Sequence, residues 1–153
     1  MEESLKYMSN IDYNITLNRE SVFSPHEVSS KYSPLALAYI GDSIFDLYIK
    51  TFFVLDSNMQ PEKYHKKVSS IVSANSQSAF VDFYYENMNE EEQAVYRRAR
   101  NSSPHTKAKN ATLENYLKAT GFEAVLGYLY LSGQDERLKC YISAVFDFYS
   151  SNK

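Results

Sequence analysis

The chain has 153 residues, 44% of them hydrophobic, which suits one domain with a core of its own. Its formal net charge of −3 excludes a uniformly basic nucleic-acid coat, so any polyanion must meet a local patch. One cysteine, Cys140, excludes an intrachain disulfide and a cysteine-rich zinc site, and the four glycines have neither Walker-loop nor dinucleotide-fingerprint spacing.

No basic–apolar–small leader opens the sequence, and with one cysteine the expected setting is reducing and cytoplasmic. Residues 1–30 are polar and weakly patterned, and they read as a loose arm with one short helix, followed by a folded domain over 31–153. Ser33-Pro34 combines an N-cap with proline at the first helical position. The helix it starts, Leu35–Leu55, carries Asp42, Asp46 and Lys50 on one stripe; it is too charged to span a membrane and otherwise apolar enough to be largely buried. Ser57–Gln60 is a connection, and Pro61 restarts a helix. Its apolar period runs through Val68, Ile71, Val72, Ala79 and Phe83 to about Met88, with a break at Ser73–Ser76, where serine and asparagine compete for backbone hydrogen bonds. Asn89 with Glu92 resembles a capping box for a helix to Arg100. Asn101–Ala111 reads as a loop; Thr112 caps a helix that stops at Gly133, and Asp135 begins the last one. That helix has Leu138, Tyr141, Ile142, Val145 and Tyr149 on one face. The fold class is all-α, with six or seven helices and no strand.

Three features stand out chemically. Asp42 lies among large apolar residues with no base at i+3 or i+4, unlike Asp46, which pairs with Lys50 as an ordinary i,i+4 couple. Gly41 beside it costs about 1 kcal/mol of helix propensity and lets a backbone or a ligand approach closely. Glu123 is the only charge between Lys118 and Asp135. A carboxylate in an apolar helix must be paired, hydrogen-bonded or metal-bound. For each of these two, a satisfied structural carboxylate and a functional one both fit the pattern; jointly, they suit a hard cation such as Mg²⁺. The third feature is an acid-free tract holding Arg97, Arg98, Arg100, His105, Lys107 and Lys109, with a second cluster at Lys63, His65, Lys66 and Lys67. Either a solvated surface or a phosphate grip accounts for such a run. The tyrosines are expected at core edges, Cys140 as a small buried hydrophobe.

Taken together, these motifs resemble a known family. Leu35-Ala-Leu-Ala-Tyr-Ile-Gly-Asp42-Ser-Ile-Phe resembles the signature helix of the ribonuclease III catalytic domain, and Gly121-Phe-Glu123-Ala-Val-Leu-Gly127-Tyr-Leu-Tyr its second catalytic helix. The chain is closest to the short Mini branch, which lacks a separate double-stranded-RNA-binding domain; His65-Lys66-Lys67 before Val72-Ser73-Ala74, Arg98-x-Arg100-Asn101, Lys109-Asn110 and Thr120-Gly-Phe-Glu123-Ala carry that match. The resemblance implies an all-α, Mg²⁺-dependent endonuclease working as a homodimer on double-stranded RNA. It would leave 5′-phosphate and 3′-hydroxyl ends and mature a large-subunit ribosomal RNA precursor. Asp42 and Glu123 would be the catalytic metal carboxylates, and Lys66, Lys67, Arg98, Arg100, Asn101, Lys107, Lys109 and Asn110 would hold RNA. Ala38 and Thr120 stand where the wider family has acids, so four carboxylates are reduced to two. This loss keeps a second reading open, a non-catalytic RNA-binding helical module.

Overall fold

Helix-start chemistry sets the helix boundaries. In a computed structural model, which describes residues 23–102 and 112–151, seven α-helices and one 3₁₀ turn account for almost all of the described chain. They are α1 (Pro25–Lys31), α2 (Pro34–Asp56), α3 (Pro61–Val72), α4 (Ala74–Tyr84), the 3₁₀ turn Tyr85–Asn87, α5 (Glu90–Arg100), α6 (Leu113–Leu131) and α7 (Asp135–Ser151). Ser24, Ser33, Ser73, Asn89 and Thr112 each accept a backbone N–H from the first turn of the helix they cap. Proline opens α1, α2 and α3, where its missing N–H costs nothing. The break expected at Ser73–Ser76 is the boundary between α3 and α4, with Ser73 closing one helix and capping the next. α6 ends before Gly133, whose φ of 70° is left-handed. α1 crosses the boundary expected between arm and domain after residue 30, with Val28 fully buried, and residues 1–22 lie outside the described residues.

α6 is the axis of the domain. It packs against α1, α2, α4, α5 and α7. Phe122, Ala124, Val125, Leu126, Tyr128 and Leu129 are all buried. A helix surrounded on every side is apolar all round, which is why Glu123 is conspicuous on it. Phe45 of α2 and Phe80 of α4 meet Phe122 edge to face at 5.2 and 5.5 Å. Each such side chain contributes about 1.5–3 kcal/mol by leaving water.

The α2–α6 crossing is unusually close because both helices present glycine there. A Cβ at Gly41 would lie 1.7 Å from the Glu123 carbonyl oxygen, and one at Gly127 would lie 2.0 Å from the Leu37 carbonyl oxygen. The residue before Asp42 is therefore pressed against the backbone of Glu123. Gly41→Ala gains about 1 kcal/mol of helix propensity, but relieving a backbone clash separates the helices at about 1–3 kcal/mol or more. The variant is expected to unfold at lower urea concentration, the net sign being read from the denaturation midpoint.

Three expectations need correction. α2 is half-buried: Leu37, Ile44, Phe45, Tyr48 and Ile49 face the core, but Leu35, Tyr39, Leu47, Val54 and Leu55 are exposed, Tyr39 by 81%. The apolar run thus covers two faces, of which only one meets α6. Tyr48, Tyr84, Tyr96, Tyr128 and Tyr141 are core residues, not core-edge ones. Partners for two of their hydroxyls make this affordable, Tyr128 donating to Glu91 and Tyr141 to Glu92. Cys140 is exposed, because the buried face of α7 runs through its neighbours Leu138, Tyr141 and Ile142.

Candidate active site

Asp42 and Glu123 meet. Asp42 is exposed on α2 and Glu123 is half-buried on α6, and the Asp42 carboxyl lies within hydrogen-bonding reach of the Glu123 carboxyl. The glycine crossing one residue away brings them together. Among the described residues neither has an arginine or lysine partner, whereas Asp46 pairs with Lys50 at 2.8 Å.

The pair's electrostatics follow from this placement. Burial raises the Glu123 pKa, and a hydrogen bond and like charge from Asp42 raise it further; an N–H from Gln77 only partly opposes them, and the carboxyl is pushed from 4.5 to about 9. Near neutrality Glu123 therefore keeps its proton, which a cation would have to displace.

Gln77 is the third member of the site, and nothing in the sequence marked it. It is 2% exposed on α4. Its Nε2 donates to the Val72 carbonyl at 2.8 Å and, more weakly, to Glu123 Oε2 at 3.4 Å. Its Oε1 is buried without a hydrogen-bond partner. Two carboxyls and a nearby amide with an unpartnered oxygen form an all-oxygen set of the kind hard divalent cations take, so these residues fit Mg²⁺. Among the described residues no cluster of three or more His, Cys, Asp or Glu side chains is present, and Ala38 and Thr120 are both buried.

The basic residues fall in two places. Arg97, Arg98 and Asn101 line an open hollow of about 610 Å³ with Pro34 and Ala94, at the start of α2. Arg98 also donates to the Ser29 carbonyl at 3.0 Å, which fixes α5 to α1. Arg100 is exposed in the last turn of α5, and Lys66 and Lys67 are exposed on α3. Lys107, Lys109 and Asn110 lie outside the described residues.

Known proteins agree with this architecture. Residues 35–134 match the family model of the Ribonuclease III domain. The chain is 41% identical over 121 residues to the Mini-ribonuclease 3 of Clostridium tetani, covering 78% of this chain and 80% of the relative. It is 40% identical over 139 residues to that of a Thermoanaerobacter species, covering 91% and 92%. A crystal structure of a Fusobacterium nucleatum protein superposes with a TM-score of 0.71 at 30% identity, over 77% of this chain and 94% of that one. An all-α nuclease domain is thus the class that fold and site define, and an endoribonuclease is what that class implies. The chain belongs to the ribonuclease III domain family and, within it, to the Mini-ribonuclease 3 group.

The raised Glu123 pKa makes a thermodynamic prediction. Between pH 4.5 and about 9 the folded chain keeps a proton that the unfolded chain has lost, so this group's contribution to stability falls as pH rises through that window. Glu123→Gln removes the cost of ionising there. In EDTA at pH 8 it is expected to raise Tm by roughly 10 °C, with little change at pH 4, measured by differential scanning calorimetry.

Proposed function

We propose that this chain is a Mg²⁺-dependent endoribonuclease that cuts double-stranded RNA to 5′-phosphate and 3′-hydroxyl ends. The observation that carries this reading is the meeting of Asp42 and Glu123, far apart in sequence, at a glycine-lined helix crossing. The two carboxylates would hold the ion, and Glu123 gives up its proton when it does so. When bound, Mg²⁺ supplies an activated water and neutralises the charge that develops on the scissile phosphate. Arg98, Arg100, Lys66 and Lys67 would meet phosphates, with Asn101, Lys107, Lys109 and Asn110 adding to that grip. Such contacts read A-form shape more than sequence, so selectivity among duplexes is expected to be modest.

A homodimer fits the exposed apolar face of α2, where Leu35, Tyr39 and Leu47 would be covered by a second copy. Two sites could then address opposite strands. Residues 31–153 form the catalytic unit in this reading. The proposed setting is the cytoplasm and the proposed substrate a large-subunit ribosomal RNA precursor; among the described residues no helix is long and apolar enough to cross a membrane.

The test is incubation of an RNA duplex with the protein in Mg²⁺ or in EDTA. Products with 5′-phosphate ends, formed only with Mg²⁺, are expected. Tight binding without products in either buffer would overturn the enzyme in favour of the RNA-binding module.

A further inference from the structure

Gln77 has no part in the family resemblance drawn from Asp42 and Glu123, yet it is the most deeply buried polar side chain at their meeting point. Its burial has to be explained atom by atom. One amide hydrogen satisfies the C-terminal carbonyl of α3, at Val72, 2.8 Å away. A second contact reaches Glu123 Oε2 at 3.4 Å, long for a hydrogen bond and so with room to tighten. Helix capping accounts for the nitrogen. It does not account for Oε1, which is buried with no partner. An apolar side chain of the same length would fill the space without leaving an acceptor unsatisfied, and an unsatisfied buried acceptor in a native fold calls for a ligand.

That ligand is identified by what lies beside it. The same amide touches Glu123, and Glu123 reaches Asp42. The site has two carboxylates, and among the described residues no third acid, histidine or cysteine joins them. A cation held by so few anionic groups keeps most of its water, and those waters need acceptors.

We propose that Gln77 is a positioning residue of this site, its N–H aiming the Glu123 carboxylate and its Oε1 accepting a hydrogen bond from water in the cation's shell. Gln77 thereby supplies with a neutral oxygen part of what a third acid would supply with charge. The inference rests on the metal-dependent reading above, and its test separates the two.

The probe is Mn²⁺, titrated into the full chain without RNA and followed by electron paramagnetic resonance. Four proteins are compared: wild type, Asp42→Asn, Gln77→Met and Gln77→Glu. Thermal midpoints in EDTA report folding. Gln77→Met keeps the length and volume of the side chain and removes the amide. It is expected to weaken Mn²⁺ binding by about tenfold to a hundredfold, the range seen when groups around a metal's ligands are lost. Gln77→Glu returns an oxygen and is expected to bind Mn²⁺ at least as tightly as wild type. Wild-type affinity in Gln77→Met, with Asp42→Asn impaired, overturns the role of Gln77 alone. Equal affinity in wild type and Asp42→Asn overturns the metal site itself. If Gln77→Met does not fold, Gln77→Glu decides: a tenfold loss there overturns the proposal, because an oxygen at this position would then be no help to the ion.

Discussion

Asp42→Asn is expected to lower duplex cleavage by about 10³-fold or more, the scale of losing a group that stabilises transition-state charge, while leaving the fold and the affinity for RNA nearly unchanged. The side chain is exposed at the surface of α2, outside the core, so an isosteric amide costs the core nothing. Its loss has a second, local consequence. The hydrogen bond and charge of Asp42 are two of the three causes that hold the Glu123 carboxyl near 9; only burial remains in the variant, and Glu123 must titrate at lower pH. The amide cannot replace the carboxylate as an anionic ligand, so this extra ionisation does not restore activity. Single-turnover cleavage of a duplex in Mg²⁺, with RNA binding measured in Ca²⁺, separates the two effects. Cleavage at the wild-type rate would remove Asp42 from the chemistry.

Local signals reported themselves well in the amino-acid sequence. Ser33-Pro34, the Asn89–Glu92 pair and Thr112 each act through backbone groups within three residues, so the caps they predict need no knowledge of the tertiary fold. Asp42 and Glu123 were visible for a different reason: a charge on an otherwise apolar helix is a contrast against its own neighbours. Gln77 has no such contrast. It is uncharged and sits among serines, and its importance comes from a contact with Glu123 that only the packing of α4 on α6 creates. The misjudged burial of α2 has the same origin. A run of apolar residues states that water is unwelcome, but not whether the same chain covers both faces; Tyr39 and Leu47 share a helix with Phe45 and Tyr48 and end on the other side of it. Exposed Cys140 is one residue from Tyr141, which is fully buried, and only the rotation of α7 against α6 decides between them.

The capping box hides a second long-range pairing, and it bears the largest stability effect. Glu92 is fully buried, although its position in the first turn of α5 predicts a surface cap. Its carboxylate takes bonds from the Asn89 backbone N–H at 3.1 Å, from the Tyr141 hydroxyl at 2.6 Å, and from Arg137 Nε and an Arg137 terminal amine at 2.7 and 2.9 Å. Arg137 also donates to the Asn87 carbonyl at 2.6 Å, so one guanidinium on α7 ties the 3₁₀ turn and the start of α5 together. Burial alone would raise the Glu92 pKa; the bonds from Arg137, Tyr141 and Asn89 outweigh it and hold the carboxyl below its ordinary value. Arg137→Met leaves that buried charge without its counterion, at a cost of about 3–5 kcal/mol. For a chain of this size the loss corresponds to roughly 10–15 °C in Tm. The sign with pH is opposite to that of Glu123. A lowered carboxyl pKa stabilises the fold above the unfolded-state value, and that contribution disappears as pH falls through the folded-state value. Wild type and Arg137→Met are therefore expected to differ most near neutrality and to converge in acid. Adding Glu92→Gln to Arg137→Met removes the stranded charge and is expected to recover part of the loss. Calorimetric midpoints of the three proteins across pH decide this; a constant difference at every pH would assign the role of Arg137 to packing against Tyr141, 5.4 Å from its guanidinium carbon, and not to charge.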